Sequence, residues 1–77
     1  MTLHNLAVGD KVKIAGFKKA APEYKKKLLS MGLIPGTEFT LTRIAPLGDP
    51  IEITVRGFSL ILRKDEANIL KLEKADR

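Results

Sequence analysis

Apolar and polar positions alternate in several short runs of this chain, and one run breaks the rhythm. Val12 and Ile14 stand between Lys11 and Lys13, the two-residue period of a half-buried strand, and Gly16 is expected to end it or mark a bulge. Residues 21–32, APEYKKKLLSMG, change period: Tyr24, Leu28 and Met31 recur at i, i+4 and i+7 with Leu29 beside them, which predicts an amphipathic helix. Pro22 suits its first turn, Glu23 its positive end, and Gly32 its left-handed stop, whereas Ala20 and Ala21 offer no capping oxygen. Pro35-Gly36 fits the centre of a type II turn.

Strand patterning then returns. In TEFTLTRI, Phe39 and Leu41 face one way and Glu38, Thr40 and Thr42 the other. Ile44 falls out of phase, so a bulge near Arg43 or a bend is expected. APLGDP is too long for a tight hairpin. Pro46 and Pro50 should stiffen a wide one, with Gly48-Asp49 at its crest. IEITV turns Ile51, Ile53 and Val55 inward, Gly57 reverses the chain, and FSLIL sends Leu60 and Leu62 inward. A single helical turn over KDEANI and a last strand with Leu70 and Leu72 inward complete the order. Five short strands, one inserted helix and a helical turn predict a mainly β domain over residues 1–77, a small, partly open barrel of the SH3-like or OB type.

Charge adds one feature. The net charge of +5 lies entirely in residues 1–27, where seven lysines face Asp10 and Glu23. Such a face either aids solubility or draws the chain to an acidic surface. Candidate chemistry subtracts more than it adds. There is no cysteine and one histidine, His4, so no thiolate or paired-histidine metal shell is expected. Asp49, Glu52, Asp65 and Glu66 each lie beside a basic residue or in a turn, and no stored cation is expected on them. No phosphate-binding glycine loop occurs, and Ser30 and Ser59 lack a nearby histidine base. Arg43, Arg56 and Arg63 are expected on strands, pairing across the sheet. The opening segment does not read as a signal peptide, and no apolar run reaches the length of a membrane span. These readings favour a binding module without catalytic residues or cofactor, monomeric when alone.

A basic small barrel invites nucleic acid as an alternative partner. Phe17, Tyr24, Phe39 and Phe58, however, do not interleave with arginine on one strand as a stacking platform does, and no nucleic acid is expected. For a protein partner, Leu33 and Ile34, between Gly32 and Pro35, and Leu47, on the stiff hairpin, are candidate apolar contacts. Lys25 and Lys26 are the candidate charged ones.

Taken in order, LLSMGLIPG, RIAPLGDPIEI, VRG and LRKDEANIL, preceded by GDKVKI and Gly16-Phe17, resemble the FeoA family, accessory proteins of bacterial ferrous iron uptake. The resemblance spans nearly the whole chain. It implies an SH3-like barrel with an inserted helix, a cytoplasmic location, and a partner: the membrane transporter FeoB, through its cytoplasmic G-protein-like part. It implies action on that transporter and on iron homeostasis without carriage of iron, with the domain held at the inner membrane only through its partner.

Overall fold

A computed structural model describes residues 6–19 and 22–75. Its elements are β1 (Lys11–Phe17), α1 (Pro22–Ser30), β2 (Glu38–Ile44), β3 (Ile51–Val55), β4 (Phe58–Leu62), α2 (Lys64–Ala67) and β5 (Leu70–Lys74). The strands form one antiparallel sheet in the order β4-β3-β2-β1-β5, so the last strand returns to pair with the first. The capping residues Ala20 and Ala21, and His4, lie outside the described residues.

Alternation sets the core. Val12, Ile14, Phe39, Leu41, Ile53, Leu62 and Leu70 are buried side by side on the inner face, where each such side chain contributes about 1.5–3 kcal/mol on leaving water. Two bulges keep the alternation in phase with burial. The register of β1 against β5 shifts between Ile14 and Gly16, and that of β2 against β3 between Leu41 and Arg43. The second shift sets Ile44 opposite Ile51, though Ile44 itself stays 40% exposed at the strand end, and the Thr42 hydroxyl donates to the Glu52 carbonyl at 3.0 Å beside it.

Helix α1 lies across the core on its predicted face. Leu28 is buried, and Tyr24 and Met31 are half-buried against the same cluster. Its end follows a rule that also explains Leu33. Gly32 takes φ +85°, its N–H bonds the Leu29 carbonyl at 3.0 Å, and the Leu33 N–H bonds the Leu28 carbonyl at 3.0 Å. This pair of bonds is the Schellman motif, in which the residue after the glycine folds back onto the last turn. Leu33 accordingly joins Leu28 in the core, each 0% exposed. The expectation of Leu33 as a partner contact is therefore corrected: a fully buried side chain has no surface to offer.

Two turns refine the sequence reading. Thr37 N–H bonds the Ile34 carbonyl at 3.0 Å across Pro35-Gly36, and Gly36 has φ +95°, as a type II turn requires. In the wide hairpin, Gly48 N–H bonds the Ala45 carbonyl at 2.7 Å, so the crest is Pro46-Leu47, earlier than expected.

Candidate functional site

Helix α1 positions Lys25 and Lys26 on its solvent face, above the inward Leu28. The Lys25 ammonium sits over the Phe17 ring, 5.7 Å from its centroid, a cation–π contact that holds this lysine near β1. A shallow hollow of about 520 Å³ opens there, lined by Phe17, Lys18, Lys19, Pro22, Lys25 and Lys71. Past the helix end, Ile34 projects from the type II turn at 45% exposure.

Leu47 lies elsewhere. It occupies the crest of the β2–β3 hairpin at 96% exposure. The seven residues of β2 run from the Ile34 turn to this hairpin, a separation of roughly 20 Å at about 3.3 Å per residue. The four exposed candidates thus form two groups, Lys25, Lys26 and Ile34 at the helix end and Leu47 at the hairpin end. A contact that takes in both groups must span the length of β2.

Helix α2 links the two groups through polar ties that local sequence does not reveal. The Asp49 carboxylate accepts the Lys64 N–H at 2.8 Å, so the hairpin caps the start of α2. Glu66, almost fully buried, accepts from the Lys27 ammonium of α1 and, at 3.0 Å, from the Arg63 N–H. The Lys27 hydrogen bond holds the Glu66 carboxyl below the usual carboxylate range. Burial pushes the other way, and the Arg63 N–H assists the lysine. The pairing satisfies a buried charge that would otherwise be costly.

Two arginines differ from expectation. Arg56 is in the β3–β4 turn at φ +50°, next to Gly57 at φ +84°, so both central residues of this two-residue turn are left-handed. Its guanidinium lies 3.4 Å from the Thr37 hydroxyl, close to the carbonyl end of α1, where a cation is favoured. Arg63 precedes α2 as its N-cap residue. Arg43 alone stays on a strand, opposite Glu52.

Sequence reasoning passed over β4. Phe58 is 72% exposed and Ile61 56% exposed. The signal was available: with Leu60 and Leu62 inward, Ile61 must point outward, an apolar residue where a polar one is ordinary. Beside Ile61 a cleft of about 230 Å³ is lined also by Arg43, Ala45, Pro46, Pro50 and Glu52. The other rings are committed, since Phe39 is buried and Phe17 and Tyr24 are half-buried against the core. Phe58 remains a lone exposed aromatic among the described residues, too little for a base-stacking surface.

Among the described residues, no group of three or more histidine, cysteine, aspartate or glutamate side chains could hold a metal ion, and no helix is long and apolar enough to cross a membrane.

Five antiparallel strands curled over one core, with a helix inserted after the first, define a small SH3-like barrel. The FeoA of Stenotrophomonas maltophilia, described as a procaryotic SH3 domain protein, shares this fold at 21% identity and a TM-score of 0.78, over 95% of this chain and 89% of that one. The FeoA domain model matches residues 1–74, and the chain belongs to the FeoA family. A solved FeoA-like protein from Clostridium acetobutylicum is similar at 35% identity and a TM-score of 0.87, over 100% of this chain and 88% of that one. An Fe(2+) transport protein A/Fe(2+) transporter FeoB fusion protein of Porphyromonas gingivalis is 29% identical over 73 residues. That match takes in 95% of this chain but 8% of the fusion protein, so the chain spans a small part of that relative's length.

Proposed function

We propose that this domain is a non-catalytic, cytoplasmic accessory to ferrous iron uptake that acts by binding the cytoplasmic, G-protein-like part of a FeoB-type transporter. The observation that carries this reading is the fusion protein, in which a segment similar to 95% of this chain is joined covalently to FeoB. A fusion holds two modules at high effective concentration, the arrangement expected of modules that work in contact. The distribution of surface residues supports the same reading. Exposed Leu47 and Ile34 are apolar residues suited to burial against a protein, and the lysines of α1 would speed encounter with an acidic surface.

The test is calorimetric titration of the chain into the soluble cytoplasmic domain of the transporter. Leu47→Asp and Ile34→Asp should each weaken binding at least about tenfold, since burying such a side chain is worth about 1.5–3 kcal/mol. Both positions are exposed, so the melting temperature should hold. Undiminished affinity in both variants removes these positions from the interface. No binding by the unaltered chain overturns the proposal.

A further inference from the structure

The β4 strand presents an edge that is open, uncharged and ready for pairing. Among the described residues it is hydrogen-bonded to β3 alone. Val55 and Phe58 face each other across the two-residue Arg56-Gly57 turn, and this closing pair exchanges both of its hydrogen bonds. Antiparallel pairs alternate from there: Leu60 opposite Ile53 and Leu62 opposite Ile51 are bonded pairs, while Ser59 opposite Thr54 and Ile61 opposite Glu52 are not. The N–H and C=O groups of Ser59 and Ile61 therefore point away from β3, along the outer edge.

Native sheets guard such an edge with charge, proline or a covering segment. Residues 58–62, FSLIL, carry neither charge nor proline. Phe58 and Ile61 instead stand exposed along it.

Charge at the end of β4 selects the occupant. Arg63 and Lys64 follow the strand, whereas the Arg56 guanidinium before it is turned away to Thr37. Within the cleft Glu52 stands opposite Arg43, so the cleft itself carries no excess charge. Antiparallel pairing of β4 with a second copy would bring together two molecules that each carry +5. Like charges so placed oppose the pairing.

We propose that the outer edge of β4 docks an extended segment of a partner protein, apolar at alternate positions and acidic at the flank that meets Arg63 and Lys64, which joins the sheet as a further strand. Outward backbone groups of Ser59 and Ile61 supply the ladder, the exposed Ile61 side chain meets one apolar side chain of the added strand, and Arg63 and Lys64 read its acidic flank. The proposal rests on the reading of this domain as a partner-binding module.

The probe is a short synthetic peptide of alternating valine and threonine with glutamate at both ends, titrated into the isotope-labelled full chain. The Ser59 and Ile61 amides should shift and exchange with solvent at least about tenfold more slowly at saturation, because an added ladder protects outward amides. A lysine-flanked version should bind at least about tenfold more weakly, the scale expected of unlike against like charge at such ends. Ile61→Lys should abolish binding while leaving the amide spectrum elsewhere unchanged, as its side chain faces solvent. Ser59→Pro, which deletes one outward N–H, should do the same. Unmoved Ser59 and Ile61 amides, or equal binding of both peptides, overturn the proposal. So does protection of those amides that rises with protein concentration alone, which would make a second copy the occupant. A transporter domain that binds the unaltered and Ile61→Lys chains equally overturns the edge and spares the functional reading. A peptide seated on β4 while the transporter domain stays unbound does the reverse.

Discussion

The two edges of the sheet have the same length and opposite surfaces. Strands β4 and β5 have five residues each, and both send alternate leucines inward. Outside, β5 carries Lys71 and Glu73, whereas β4 shows Ser59 and Ile61. Inward residues answer to one core and must be alike; outward residues answer to whatever meets them. The β5 edge is guarded against pairing and the β4 edge is not. The difference teaches that alternation determines where a strand packs, while its outward half records what it is protected from or prepared for.

The largest effects test whether the two edges are anchored alike. Leu62→Ala on β4 and Leu70→Ala on β5 each empty a fully buried site, and each should cost about 2–5 kcal/mol in denaturant unfolding. A loss several-fold smaller for Leu62 would mean that β4 is loosely held, and its exposed edge would then reflect weak packing.

Smaller effects concern α2, which separates the end of β4 from the start of β5. Lys27→Met leaves the buried Glu66 carboxylate with the Arg63 N–H and without its lysine. The expected cost is about 1–2 kcal/mol, moderated because the lysine end of the pair is exposed and screened. The sign of the pH dependence follows from Glu66. Its folded-state carboxyl is held below the ordinary range, so its contribution is present above that range and is lost as pH falls through the lowered folded value. Thermal melts of the unaltered chain should therefore decline into acid more steeply than those of Glu66→Gln. Parallel acid limbs would remove the pair as a source of stability. Asp49→Ala deletes the bond to the Lys64 N–H and should cost about 0.5–2 kcal/mol by the same melts.

These ties also mark the limit of what the sequence discloses. Strand alternation, the irregularities near Gly16 and Arg43, the Pro35-Gly36 turn and the apolar face of α1 were all legible, because each is set by residues a few positions apart. Asp49 meets Lys64 fifteen residues on, and Lys27 meets Glu66 thirty-nine residues on. Only the closed sheet brings them together. Leu33 is a different case. Gly32 was readable as a helix stop, and the stop motif itself buries the next residue, so the sequence held the correction before the structure supplied it. Of the candidate contacts, exposure of Ile34 and Leu47 could be read from their turns. Their separation along β2 could not, nor could the bareness of β4, which is visible only once strand order makes it an edge.

The smallest expected change in stability gives the sharpest test of the comparison. Exchanging outward residues between the edges touches no core contact, so Ile61→Lys on β4, and Lys71→Thr with Glu73→Thr on β5, should each shift unfolding by no more than about 0.5 kcal/mol. Their effects on association should nevertheless differ. The lysine gives β4 the guard that β5 already has, and the chain should remain monomeric in sedimentation at every concentration. The two threonines strip β5 of its inner charges and leave a second open edge. That edge lies beside Lys13 of β1, and its remaining charge is Lys74 near the end. With less repulsion to oppose it, strand-to-strand pairing should appear as a sedimentation coefficient that rises with concentration. If the stripped variant stays monomeric, outward charge is not what keeps β5 alone, and an uncharged β4 no longer signals a strand kept open for a partner.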